Sequence, residues 1–360
     1  MTSTLTEPSR TLAAARRRSA EIEALIGEDA GPFRILTGDR PTGYLHLGHY
    51  FGTLANRVRL QDAGAELIVL IADYQVLTDR DTASRLDEYV TGLVLDYLAI
   101  GIDPARSVIF AHSAVPELNQ LILPFLSLVT VPELRRNPTV KDEIAHSRQA
   151  SVSGLMFTYP VHQAADILCV RANLVPVGQD QLPHVEVART ISRRFNDRYP
   201  APDGAGVFPS PDALLSKAPL LLGTDGGKMS KSRGNAIELR ATPDETARLI
   251  RSAKTDAVRH ISYDPAARPE VSSLVLLAAQ CLDRDPVSVA DSIGGGGSAA
   301  LKRTLTEAVN ERFAPVRARR AELAADLGHV RQVLRDGCER ARATATATLE
   351  EVRGVMGMRY

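Results

Sequence analysis

Six consecutive apolar residues, Leu67-Ile68-Val69-Leu70-Ile71-Ala72, stop abruptly at Asp73. No polar residue alternates through them, so both faces of the segment must be buried. A central strand of a parallel sheet, covered by helices on both sides, meets that demand. The flanking sequence agrees. Upstream, Phe33-Arg34-Ile35-Leu36-Thr37 reads as a first strand broken by Gly38 and Pro41, and a helix is expected from about Gly48 to Ala63. Downstream, Leu86, Val90, Leu93, Tyr97 and Leu98 recur at helical spacing until Gly101 and Pro104, and Ser107 to Ala111 supplies a third strand. Strand, helix, strand, helix, strand predicts an α/β fold with a Rossmann-like parallel sheet and right-handed crossovers.

The remainder is mostly helical. Leu174-Val175-Pro176-Val177 and Leu220-Leu221-Leu222 are short apolar pieces, the second followed by a loop from Gly223 to Gly234. Past Thr242 no strand is expected. Thr242 is placed as an N-cap with Pro243 in the first helical position and Asp244 and Glu245 in the first turn. The pattern divides the chain into an N-terminal arm at 1–30 with one short amphipathic helix from Leu12 to Ile26, a Rossmann-like domain at 31–240 with a helical insertion at about 115–170, an all-helical domain at 241–330, and a C-terminal helix at 331–360 packing back towards the sheet domain.

Composition narrows the function classes. A chain of 360 residues can bury a core without staples. Its three cysteines, Cys169, Cys281 and Cys338, are scattered, which argues against a disulfide framework and a structural metal site and for a reducing compartment. No apolar run approaches the roughly 18 residues of a membrane span. Arg16, Arg17 and Arg18 stand where a signal peptide would be apolar, so the cytoplasm is expected. Basic and acidic residues balance at 43 each, which excludes a wholesale basic nucleic-acid binder but leaves room for a local patch. Residues 301–360 supply one, with 12 basic and 8 acidic groups.

Two segments carry chemistry. Thr37-Gly38-Asp39-Arg40-Pro41-Thr42-Gly43-Tyr44-Leu45-His46-Leu47-Gly48-His49 lies between the first strand and its helix, where open α/β sheets bind ligands. The helix N-terminus offers unpaired N–H groups to phosphate, and the glycines allow close backbone approach. The second segment is Gly226-Gly227-Lys228-Met229-Ser230-Lys231-Ser232-Arg233-Gly234-Asn235. It holds two of only six lysines in the chain. Paired ammonium groups on a glycine-flanked loop suit a polyphosphate gripped during reaction and released afterwards.

Together these segments resemble the HIGH and KMSKS signatures of class I aminoacyl-tRNA synthetases. His46-Leu47-Gly48-His49 matches the first with Leu for Ile, and Lys228-Met229-Ser230-Lys231-Ser232 matches the second letter for letter. A third region, Thr158-Tyr159-Pro160-Val161-His162-Gln163-Ala164-Ala165-Asp166 leading to Val175-Pro176-Val177-Gly178-Gln179-Asp180-Gln181, resembles the tryptophanyl-tRNA synthetases. Similarity runs from about 33 to 355 and includes Lys254-Thr255-Asp256, Tyr263-Asp264 and Pro269 to Leu274.

The resemblance implies ATP with Mg²⁺ as a substrate complex, L-tryptophan and tRNA(Trp) as partners, no tightly bound cofactor or protein-held metal, and a homodimer. It implies catalysis by His46, His49, Lys228 and Lys231. ATP would meet Arg40, Pro41, Thr42, Gly48, His49, Gly178, Gln179, Asp180, Pro219, Lys228, Met229, Ser230, Lys231 and Ser232. Tryptophan would meet Leu36, Gly38, Gln75, Tyr159, Gln163, Asp166, Val175, Val177 and Gln181, with Asp166 accepting the indole N–H. The domain at 31–240 would be catalytic and that at 241–330 would bind the tRNA anticodon stem, the helical region beyond about 242 reading it through Arg317, Arg319, Arg320 and the arginines between 331 and 342. Arg40, Gln75 and Gln163 stand where Gln, His and Met are common in bacterial members, and Glu143 replaces a lysine near Lys141, which resembles a second bacterial branch. Competing readings are a tyrosyl-tRNA synthetase, a small-molecule nucleotidyltransferase of the same superfamily, and a non-catalytic tryptophan-sensing or RNA-binding paralogue.

Overall fold

A computed structural model of the chain describes residues 7–78, 85–138, 140–141, 153–201, 204, 206–216, 221–230 and 233–360. Five parallel strands form one sheet: β1 Arg34–Asp39, β2 Glu66–Ile71, β3 Val108–Ala111, β4 Leu174–Val177 and β5 Asp212–Leu215, in the order β3-β2-β1-β4-β5. Leu67 to Ile71 of β2 are all buried, as the unbroken apolar run requires. The strand order changes direction between β1 and β4. That is the switch point at which an open parallel sheet leaves a crevice beyond its carboxyl ends.

Three details differ from the expectation. β1 runs on to Asp39, so Gly38 lies inside the strand rather than ending it. β5 is not the Leu220–Leu222 piece. Leu220 lies outside the described residues, and Leu222 makes a single antiparallel bridge to Lys228. The strand is Asp212-Ala213-Leu214-Leu215, four residues opened by an acid after Pro211. Finally, the N-terminal helix spans Glu7–Glu28 and passes through Gly27.

That helix closes one sheet edge. The Ser19 hydroxyl donates to the Ala213 carbonyl (3.3 Å) and accepts from the Leu215 N–H (2.9 Å), and Arg18 pairs with Asp212 at 2.7 Å. Bonds that would otherwise recruit another strand are used internally. At the other edge the helix Leu327–Val355 packs on β3. A Cβ at Gly337 would fall 2.0 Å from the Ile109 carbonyl oxygen, so only glycine lets the backbones approach this closely. The helices Pro243–Ser252, Pro269–Leu282, Pro286–Ile293 and Gly297–Ala324 fill the rest. Thr242 caps the first of them in a reciprocal pair with Glu245, accepting from Glu245 N–H (3.2 Å) while the Glu245 carboxylate accepts from Thr242 N–H (2.8 Å). One apolar cluster joins Val69 and Ile71 of the sheet, through Leu93 and Tyr97, to Val271, Leu305 and Phe313. Among the described residues no helix is long and apolar enough to cross a membrane.

Candidate active site

The turn after β1 is held open by a buried ion pair. The Asp39 carboxylate accepts from Arg57 (2.6 Å) and from the Tyr97 hydroxyl (2.6 Å), and Arg57 also donates to the Gly38 carbonyl (3.3 Å). Burial alone would raise the Asp39 carboxyl, but the adjacent Arg57 guanidinium outweighs it and holds the group well below the usual carboxylate range. At Gly38 a Cβ would lie 2.6 Å from the Leu70 carbonyl oxygen, so the backbone must be bare here.

The chain then reaches His46 in an extended conformation (φ −131°, ψ 172°), the position preceding a helix that begins as Leu47–His49, passes through a π-helical turn Tyr50–Leu54 and continues as Ala55–Asp62. The His46 N–H donates to His49 Nδ1 (3.2 Å), and the two rings lie 3.7 Å apart between centroids. Gly48 is the position between them where a side chain would intrude. A Cβ there would sit 3.1 Å from the His46 ring and 3.3 Å from Met229 Sδ.

A cavity of about 420 Å³ opens between the carboxyl ends of β1 and β4 and the helix Gly154–Cys169. That helix starts at Ser153, whose hydroxyl caps the Met156 N–H at 3.1 Å. Tyr159, Gln163 and Asp166 follow at intervals of four and three, which puts them on one helical face. All nine residues expected around tryptophan line this single cavity: Leu36, Gly38, Gln75, Tyr159, Gln163, Asp166, Val175, Val177 and Gln181. Of those expected around ATP, Arg40, Gly48, His49 and Gly178 line it too. His46, Pro41, Thr42, Gln179 and Asp180 flank it without lining it.

The polar groups form two sets. Tyr159 Oη lies 2.9 Å from His184 Nε2, and His184 Nδ1 lies 2.8 Å from Gln181 Oε1. Burial pushes His184 down to about 4, so the ring is neutral near pH 7. A neutral ring has one donor, and Gln181 Oε1 can only accept. Nδ1–H therefore donates to Gln181, and Nε2 accepts from the Tyr159 hydroxyl. Around Asp166, only 1% exposed, the fold brings two buried histidines, with His112 Nε2 2.8 Å from Asp166 Oδ1 and the His162 ring 4.8 Å from that of His112. Burial disfavours a charged His112, yet the Asp166 carboxylate prevails and raises it, whereas burial lowers His162. The chain has no local His/Cys cluster, but here tertiary structure assembles one: donor atoms of His112, His162 and Asp166 lie within 4.8 Å of one another.

The glycine-flanked loop is built around Asn235, a buried side chain. Its Oδ1 accepts from the Ser230 N–H (2.8 Å), and its Nδ2 donates to Asp225 (2.6 Å) and to the Lys228 carbonyl (3.1 Å). Beyond it, Leu47 N–H donates to the Ile237 carbonyl and Leu239 N–H to Leu45, both at 2.9 Å, which seams the loop to the His46 turn. Lys228 is exposed, and neither it nor Met229 nor Ser230 lines the cavity. Pro219, Lys231 and Ser232 lie outside the described residues. So does Glu143, while Lys141 is exposed at a helical position away from the cavity lining.

Sequence reading missed Asp39, Arg57, His112 and His184 as members of the site. Asp39 sits inside the first segment and His184 three residues after Gln181, so neighbourhood was a usable signal for these two. Nothing local flags Arg57 or His112. Several of the arginines expected to read tRNA also have partners within the protein. Arg320 pairs with the buried Asp96 at 2.6 Å, Arg317 bonds Asn310 and Thr246, Arg340 donates to the carbonyls of Pro104 and Ser107, and Arg342 bonds Glu117. These guanidinium groups join helices to the body of the protein. Arg319 remains exposed.

Residues 28–314 match the family model described as tRNA synthetases class I (W and Y). The chain is 43% identical over 336 residues to a tryptophan–tRNA ligase of Clostridium longisporum (91% of this chain, 97% of that protein), and 43% identical over 334 residues to one of Treponema pallidum (90% and 97%). Among solved structures it resembles the Campylobacter jejuni tryptophanyl-tRNA synthetase complexed with ADP and tryptophan, with a TM-score of 0.77, 30% identity and coverage of 90% of this chain and 99% of that one. A tyrosyl-tRNA synthetase of Archaeoglobus fulgidus is less similar, with a TM-score of 0.64, 26% identity and coverage of 84% and 93%. With the crevice at the switch point, the His46 turn and the Lys228 loop all on one side of the sheet, the chain belongs to the class I tRNA synthetases for tryptophan and tyrosine.

Proposed function

We propose that this chain is an ATP-dependent tryptophan–tRNA ligase, and that Asp166 in the cavity is the group that selects the amino acid. A buried carboxylate in the same cavity as Val175, Val177 and Leu36 suits a flat apolar ring that carries one N–H donor. The Tyr159 oxygen and Gln181 suit the substrate ammonium at the other end. Its carboxylate then faces His49 and the helix start, where an ATP α-phosphate would lie. Attack of that carboxylate on the α-phosphorus forms tryptophanyl-adenylate and expels pyrophosphate. No protein nucleophile is needed, so rate comes from positioning and charge stabilisation.

Arg40, Pro41, Thr42, Gly178, Gln179, Asp180 and Pro219 are assigned to ATP, His46 and His49 to its phosphates, and Lys228, Met229, Ser230, Lys231 and Ser232 to the departing pyrophosphate. Mg²⁺ belongs to the ATP substrate complex. The tryptophanyl group then passes to the terminal ribose of tRNA(Trp). The catalytic unit is assigned to 31–240, tRNA binding to 241–330, and the enzyme is read as a cytoplasmic homodimer. ATP–pyrophosphate exchange across the twenty amino acids tests the assignment: exchange with tryptophan alone is expected. Exchange driven by tyrosine, or by none, would overturn it.

A further inference from the structure

We propose that His112 is a positioning residue for amino-acid selection, holding one oxygen of Asp166 so that the other faces the indole N–H. This rests on the reading of Asp166 given above. His112 lies in the turn after β3, a different element from the helix carrying Asp166, and is fully buried. It does not line the cavity, whereas Asp166 does, so it acts from behind the carboxylate. Its Nε2 is 2.8 Å from Asp166 Oδ1. The Tyr74 ring lies nearly parallel to it, at 20° and 6.1 Å, and the His162 ring is 4.8 Å away. Asp73 faces the same cluster but is itself engaged by Ser113, through its N–H at 3.1 Å and through its hydroxyl.

The physical need is specific. A buried carboxylate without a donor takes up a proton or turns towards solvent. A protonated carboxyl can donate to the sulfur of a ring analogue or to water, and so discriminates an N–H poorly. The His112 pairing removes both escapes: it compensates the charge and fixes the plane of the carboxylate. A cation shared by His112, His162 and Asp166 is the rival arrangement, since the ring nitrogens of both histidines and Asp166 Oδ1 lack a well-directed hydrogen bond among the described residues, the His112–Asp166 approach being an ion-pair contact. The 2.8 Å separation favours the direct pair. Two ligands on a tetrahedral zinc with bonds near 2.0–2.1 Å would stand about 3.3 Å apart.

The test compares wild type, H112A, H112Q and D166A in pyrophosphate exchange, with L-tryptophan and with the analogue whose ring N–H is replaced by sulfur. H112A is expected to raise the KM for tryptophan by at least about tenfold while moving the ATP KM and the sulfur analogue by less than about twofold. H112Q, whose amide reaches the Nε2 position, should restore most of the preference. Should H112A fail to fold, H112Q keeping the preference and H112N losing it carries the same meaning. If D166A abolishes the preference and folded H112A retains it, His112 has no positioning role. If D166A also retains it, the assignment of Asp166 itself fails. Stoichiometric metal in purified wild type, lost in H112A, would replace the direct pair with a metal site and overturn the proposal.

Discussion

The amino-acid cavity and the lysine-bearing loop touch through Met229 and Gly48, yet they are built in opposite ways. In the cavity several polar side chains contact one another: Asp166 with His112, Tyr159 with His184, His184 with Gln181. In the loop one buried side chain, Asn235, ties the base, and Lys228 projects into solvent. The contrast fits what each would do under the proposed function. Groups that select a ground-state substrate gain from being fixed beforehand, whereas groups that stabilise a leaving pyrophosphate must approach and then release it.

The two regions should therefore fail differently. Replacing Lys228 and Lys231 together with Ala is expected to slow adenylate formation about a thousandfold or more while tryptophan affinity stays within about twofold. The chain contains no tryptophan, so the fluorescence of bound substrate reads that affinity against little background. Equal losses in both would erase the distinction. Asp166→Ala should do the reverse, cutting discrimination between tryptophan and phenylalanine about a hundredfold, because the site then has no acceptor for the N–H. Competition kinetics measure it, and unchanged selectivity would remove Asp166 from the recognition role.

Smaller effects sharpen the boundary between the regions. Asn235→Ala should slow adenylate formation about tenfold and cost about 1–3 kcal/mol of stability, as a buried amide with three bonds is lost, without changing tryptophan affinity. Single-turnover rates and denaturant melts give the two numbers. A separate, pH-resolved effect comes from His184. Its folded value is depressed to about 4 from an ordinary 6.5, so the unfolded chain takes up the proton first. The stability this group contributes is complete above about 6.5 and is lost as pH falls towards about 4. Melts of wild type and His184→Gln should diverge in that window, with the variant the flatter of the two.

How much of this was legible in the sequence depended on whether the signal was local. Four strands showed as apolar runs. β5 did not, because four residues headed by Asp212 are too few to display a period. The HIGH-like and KMSKS-like segments were readable because their chemistry is contiguous. The partners that hold site residues are not: Arg57 reaches Asp39 from 18 residues away, and His112 reaches Asp166 from the turn after β3. Arg320 and Arg340 were visible as charges, but Asp96 and the carbonyls they bond lie more than 200 residues off, so their structural bonds could not be read locally.

The most direct test is a crystal structure with L-tryptophan bound. The indole nitrogen is expected within about 2.7–3.2 Å of the Asp166 carboxylate, with the ammonium group at Tyr159 and Gln181. A ring bound elsewhere, or reversed so that its N–H points away from Asp166, would contradict the account.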